Sequence, residues 1–160
     1  MARYRFVMRA LLVVLVSLSI MTAAHAADAV TGRVVKVLPF LMDKQGRIAP
    51  SPSLFDRDAY QAYLRDHTNL VSAVRFDVLW EAAKAPAEEI KLAVELRGIG
   101  SNSVPVLKTM ETNVVPGNFR KWTAIPLAGE DYKDFGRVVA WRVTLWNGGQ
   151  KLDEQKSFLW

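Results

Sequence analysis

The sequence predicts an all-β domain, a two-sheet antiparallel sandwich of about seven strands with one helix inserted after the first strand. Three observations carry this prediction. Residues 74–80 and 90–96 alternate apolar and charged side chains with a period of two, the mark of strands buried on one face only. Further short apolar runs continue to residue 160, separated by Gly, Pro and Asn turn signals. Only one long stretch, residues 51–69, changes to a helical period.

Ahead of these elements lies a leader. Arg3, Arg5 and Arg9 give a basic start, residues 10–21 are apolar apart from Ser17 and Ser19, and Ala24-His25-Ala26 supplies a small-x-small motif. This three-part layout is that of a secretory signal peptide, cut before Ala27, and the apolar run is too short for a membrane span. The reading makes residues 1–26 a signal peptide and residues 27–160 a single β-sandwich domain, exported to the periplasm or beyond. Removing three arginines from 21 basic residues leaves 18 against 16 acids, so the net charge falls from +5 to +2. The remaining Lys and Arg are scattered among Asp and Glu, which argues against a nucleic-acid partner. There is no cysteine, which excludes disulfides, thiol catalysis and thiolate metal sites. With no Asn-x-Ser/Thr acceptor either, the chain reads as bacterial.

The first strand is expected over 33–42, where Pro39 points to an edge position or a kink. Asp43 to Gly46 is a polar turn. The helix follows, with Ser53 and Asp56 as a variant capping box. Phe55, Ala59 and Tyr63 at four-residue steps, flanked by Tyr60 and Leu64, are expected to form its apolar face, and His67 to end it. In the next two strands Val74, Phe76, Val78 and Trp80, then Ile90, Leu92, Val94 and Leu96, face the core. Residues 82–89 read as a loop and 98–103 as a connection. A hairpin is expected over 106–127, reversing at Pro116-Gly117 in a type II turn. Residues 128–136 are a polar corner with room for one helical turn. A last hairpin runs 138–146 with Val139, Trp141, Val143 and Leu145 inward, turns at Asn147-Gly148-Gly149, and returns over 152–160.

Over residues 71–160 the pattern resembles the immunoglobulin-like and fibronectin type III-like families. Trp80 closes an early core strand, the facing strand 90–96 follows a Pro-containing loop, and Trp141-Arg142-Val143-Thr144-Leu145 leads into Asn147-Gly148-Gly149. The chain departs from those families in having no cysteine pair, no clear tyrosine corner and an added helix. The resemblance implies a fold and leaves function open.

Catalytic signatures are sparse. His67 is the one histidine left after the leader is removed, and the end of a helix suits it as a cap. No Gly-x-Ser-x-Gly nucleophile elbow or phosphate loop is present. Glu130, Asp131 and Asp134 form the one acidic cluster that could serve a carboxylate-based hydrolase or a calcium-dependent module. Aromatic side chains are the stronger candidates. Tyr60 and Tyr63 ride the inserted helix, His67 ends it, and Trp146 falls by alternation on the side of Arg142 and Thr144, away from the core. Exposed aromatics on a rigid sandwich are a means of gripping proteins or sugars. The sequence therefore points to a non-enzymatic, exported binding protein whose partner is a protein or glycan. It needs no cofactor, no metal and no membrane span once the leader is gone. Two alternatives stay open: the acidic-cluster enzyme or calcium module, and an assembly role through an exposed edge strand.

Overall fold

A computed structural model describes residues 30–83, 90–100 and 103–160. The leader, with Ala24, Ala26 and Ala27 at its cleavage site, and most of the loop expected over 82–89 lie outside the described residues. The chain forms β1 (Thr31–Asp43), α1 (Leu54–Asp66), β2 (Val71–Ala83), β3 (Ile90–Ile99), β4 (Pro105–Asn113), β5 (Lys121–Ala128), α2 (Gly129–Phe135), β6 (Arg137–Asn147) and β7 (Gln150–Lys156). All strand pairs are antiparallel, in one sheet of order β1-β2-β5 and a second of order β4-β3-β6-β7. The molecule is a seven-stranded, two-sheet antiparallel sandwich, consistent with an immunoglobulin-like fold.

The two strands with the cleanest alternation build the centre of the core. From β2, Phe76, Val78 and Trp80 face Ile90, Leu92, Val94 and Leu96 of β3, all essentially removed from solvent. At about 25 cal/mol per Å² of apolar area removed from water, this interior is the main favourable term in folding a chain without disulfides. Trp80 also satisfies its one polar atom, its indole N–H donating to Thr123 Oγ1 of β5 at 2.8 Å. Phe135 of α2 docks where Gly98 leaves room, since a Cβ at Gly98 would overlap its ring.

Pro39 lies on an edge strand as expected, and β1's outer edge is occupied by side chains. Near its start, Val34 N–H donates to Asp153 Oδ2 at 2.8 Å, and Gln155 Nε2 donates to the carbonyls of Val34 and Val35 at 2.9 and 3.1 Å. A ladder irregularity lies between Val34 and Lys36. Near its end, Leu41 exchanges two 2.8 Å bonds with the Gln61 amide of α1. With no N–H at Pro39, little of this edge is left for another strand to pair with.

Several expectations are corrected. The segments 106–114 and 119–127 do not form a hairpin: β4 pairs with β3 and β5 with β2, in opposite sheets. Val114 N–H is held by Ile90 O at 2.9 Å, and the chain then crosses between sheets through Pro116-Gly117. Pro-Gly marks a local reversal, but the receiving sheet is set by burial of Ile125 and Leu127 beside Phe76 and Val74. Val139 points out, because the β3–β6 register shifts opposite Arg97 and Gly98 and resets the alternation before Ala140. The last hairpin forms, but its central pair is Gly148-Gly149. Only Gly148 of the two takes a positive φ, 52°, as a type II′ turn requires at its first position. Its second strand ends at Lys156, where Ser157 N–H bonds Trp141 O at 2.9 Å and turns the last residues across the second sheet.

Candidate functional site

The helix starts where its cap predicts. Ser53 Oγ accepts from Asp56 N–H at 3.3 Å, and Ser51 Oγ donates to Asp56 Oδ2 at 2.5 Å. Tyr60 and Leu64 turn inward as expected, but the helix is rotated so that the rest of the expected apolar face turns out. Arg57, Tyr60, Gln61 and Leu64 face the sandwich, while Phe55, Ala59 and Tyr63 face solvent, Phe55 at 81% exposure and Tyr63 at 44%. The polar residues of the inner face explain this. Gln61 Nε2 donates to Leu41 O at 2.8 Å and to Ile48 O at 2.9 Å, while its Oε1 takes the Leu41 N–H. Arg57 lies over the Phe40 ring, 5.1 Å from its centroid. Leu64, fully buried, is the apolar anchor.

Tyr60 completes a hub around the buried Asp43 carboxylate. Asp43 Oδ1 accepts the backbone N–H groups of Gln45 and Arg47 at 2.8 and 2.9 Å. Asp43 Oδ2 accepts Arg47 Nε–H at 2.8 Å and the Tyr60 hydroxyl at 2.7 Å. Burial alone would raise the Asp43 pKa. The backbone bond from Arg47, the Tyr60 and Arg47 side-chain bonds and the Gln45 backbone bond together outweigh it, lowering the pKa from 3.8 to about 2. The same contact with Asp43 raises the Tyr60 phenol pKa, so Tyr60 serves as a neutral donor.

Of the four sequence-chosen binding residues, the structure brings three together. Tyr63 and His67 stack with ring centroids 4.0 Å apart, and Tyr60 and Tyr63 lie 6.1 Å apart. His67 also caps the helix, its backbone N–H and its Nδ1–H both donating to Tyr63 O, at 3.0 and 2.9 Å. Tyr60 belongs to the hub, so the exposed platform is Tyr63 with His67, extended by Phe55. Leu54, 67% exposed, adds to the apolar surface at the start of the helix.

Trp146 stands apart from this platform. It lies on the outer face of the second sheet, as its alternation predicts, half-buried in a groove of about 330 Å³ with Lys91, Glu95, Glu111 and Arg142. The charges there are already paired: Lys91 with Glu111 at 2.9 Å, and Arg142 with Glu95 at 2.6 and 2.8 Å. Trp160 covers neighbouring cations, its ring centroid 4.1 Å from Arg97 and 4.8 Å from Arg142. The acidic cluster is not drawn into one site either. Glu130 pairs with Lys133 and Asp131 with Lys108, each at 2.6 Å, and no group of three metal-ligating side chains converges among the described residues.

Two clefts open at the ends of the sandwich. The larger, about 680 Å³, lies beside Gly32 and Phe119, and its charges are paired among themselves, Glu81 with Arg120 at 2.9 Å and with Arg33 at 3.7 Å. The second, about 600 Å³, opens between α1 and α2. Leu41, Val71, Val74 and Val138 line its apolar part, with Tyr132 beside them. Arg65, Lys133 and Arg137 are its charged lining residues, and it has no carboxylate. Sequence reasoning missed this cleft, because Arg65 is far along the chain from Lys133 and Arg137 and only the fold brings it to them. No protein-family model matches this chain, and neither a curated protein nor a solved structure gives a match.

Proposed function

We propose that this is an exported, non-enzymatic binding protein that docks a protein partner of the cell envelope through the outer face of α1. The observation that carries this reading is the solvent-facing row Phe55, Ala59 and Tyr63 on a helix held from behind by Gln61, Leu64 and Tyr60. Such a row, at positions i, i+4 and i+8, suits insertion of a helix ridge into an apolar groove of another protein. Its rigid backing lowers the ordering cost of association. A convex ridge favours a protein over a glycan, for which an aromatic-lined hollow would be the better shape. Export rests on the leader in residues 1–26.

Within the immunoglobulin-like class, we assign the chain to the fibronectin type III-like kind. The fourth strand pairs within the sheet of β3, β6 and β7. In constant-type immunoglobulin domains it joins the sheet of the first, second and fifth strands.

The test is comparative capture from the envelope fraction, with the bound proteins identified by mass spectrometry. A specific envelope protein is retained by the native chain, lost with Phe55→Ser/Tyr63→Ser, and kept with Trp122→Ser, which removes an equally prominent aromatic from β5. Equal retention by the Phe55→Ser/Tyr63→Ser variant, or a glycan as the retained species, would overturn the reading.

A further inference from the structure

The cleft between α1 and α2 combines an apolar wall with a few polar groups, the composition of a small-molecule site. Its inner wall is aliphatic, from Leu41, Val71, Val74 and Val138 on three strands of the two sheets. Its charged lining is entirely cationic, from Arg65, Lys133 and Arg137. Lys133 is paired with Glu130, but Arg65 and Arg137 have no ion-pair partner among the described residues. A cation in the last turn of α1 suits the helix dipole and accounts for Arg65 alone. That leaves unexplained why Arg137, at the start of β6, lines the same opening.

We propose that this cleft binds a single-headed anionic amphiphile, an acyl-chain carboxylate, with its head at Arg65 and Arg137 and its chain along Leu41, Val71, Val74 and Val138. The chemistry follows from each part. Guanidinium groups present forked donors that match a carboxylate bidentately. Tyr132 lines the same space, its hydroxyl makes no hydrogen bond among the described residues, and burial raises its pKa further, so it is a neutral group able to donate. The aliphatic wall offers nothing to a sugar or a nucleotide base but gains affinity with each CH₂ group buried against it. The volume, about 600 Å³, lies within the range of small-molecule sites, about 300–1,000 Å³.

The experiment is titration calorimetry of the purified protein with monomeric dodecanoate at low ionic strength. Saturable one-to-one binding is expected. Arg65→Gln/Arg137→Gln should weaken it about tenfold or more, because two charge-assisted contacts are lost, while the melting temperature is kept. Dodecanol, with the chain but no charge, should bind about tenfold more weakly, and acetate, with the charge but no chain, should not compete. Val138→Trp, which fills the cleft, should abolish binding, and retained dodecanoate affinity in a folded Val138→Trp protein would count against the site. No saturable heat with dodecanoate, unchanged affinity in the double arginine variant, equal binding of dodecanol, or competition by acetate would each overturn the proposal. So would binding to anionic phospholipid vesicles without binding to monomeric dodecanoate, because that outcome assigns the cations to a membrane surface. The residues tested here are separate from Phe55 and Tyr63, so this proposal and the docking reading can fail independently.

Discussion

The inner face of α1 is held by an amide, a phenol, a guanidinium and one leucine, while its outer face presents Phe55, Ala59 and Tyr63 to water. A surface helix ordinarily divides its residues the other way, with the apolar stripe inward. The difference shows what fixes this helix. The strand it covers, β1, is a sheet edge with unpaired backbone groups, and an edge calls for hydrogen bonds as much as for apolar cover. Gln61 supplies those bonds to Leu41, and the Asp43 hub ties Tyr60 to the turn that follows β1. The aromatic residues are then left over for another use.

The inner face of α1 should carry the larger effects on stability. Leu64→Ala should have the largest effect, a loss of about 3 kcal/mol in chemical denaturation, since it empties a fully buried position. If the loss were under about 1 kcal/mol, the helix would not be packed as described and the contrast between its faces would vanish.

Asp43→Asn comes next, at about 2 kcal/mol, because one carboxylate oxygen that accepts from Arg47 and Tyr60 would be replaced by a donor or left mispaired. It also has a pH signature. The folded-state pKa of Asp43 is depressed from 3.8 to about 2, so its contribution is fully present above about 3.8 and is lost as pH falls through about 2. The native protein should therefore lose stability between about pH 4 and pH 2 more steeply than Asp43→Asn does. Parallel acid limbs in denaturation curves taken across that range would remove Asp43 from its assigned role.

Gln61→Met keeps the volume and removes three hydrogen bonds, to Leu41 twice and to Ile48 once. The expected loss is about 1–2 kcal/mol, because water can reach part of the exposed edge and replace some of what is lost. Hydrogen exchange sharpens the measurement. The Leu41 amide should lose protection in this variant while amides at the centre of β2 and β3 keep theirs.

The same contrast explains what was legible in the sequence. Alternation in 74–80 and 90–96 is legible because each strand buries one face and the period of two records it directly. The position of α1 was readable from Ser53 and the change of period. Its orientation was not, since hydropathy assigns Phe55 and Tyr63 to the core and cannot see that the edge of β1 needs Gln61. The reversal at Pro116-Gly117 reads as a hairpin because turn chemistry is local, whereas sheet membership depends on partners far along the chain. Of the proposed site, Tyr63 and His67 are nameable as candidates from residue type and spacing, while their stacking shows only in the fold. The cleft of Arg65, Lys133 and Arg137 is not legible in this way, because its parts meet only after both sheets are in place.

The outer face gives the smallest expected change in stability and the most direct test of the contrast. Phe55→Ser and Tyr63→Ser should each alter the unfolding free energy by no more than about 0.5 kcal/mol, the range of exposed positions away from special features. Phe55 has most of its ring in water already, and Tyr63 gives up its stacking on His67, 4.0 Å away, and on Tyr60, 6.1 Å away. Burying these rings against a partner would return the apolar area that folding leaves exposed, at about 25 cal/mol per Å². The same two changes should therefore be nearly silent in denaturation and decisive in partner capture. A loss above about 1.5 kcal/mol from either would mean that the aromatic row stabilises the free protein, and its exposure would then be no argument for a partner.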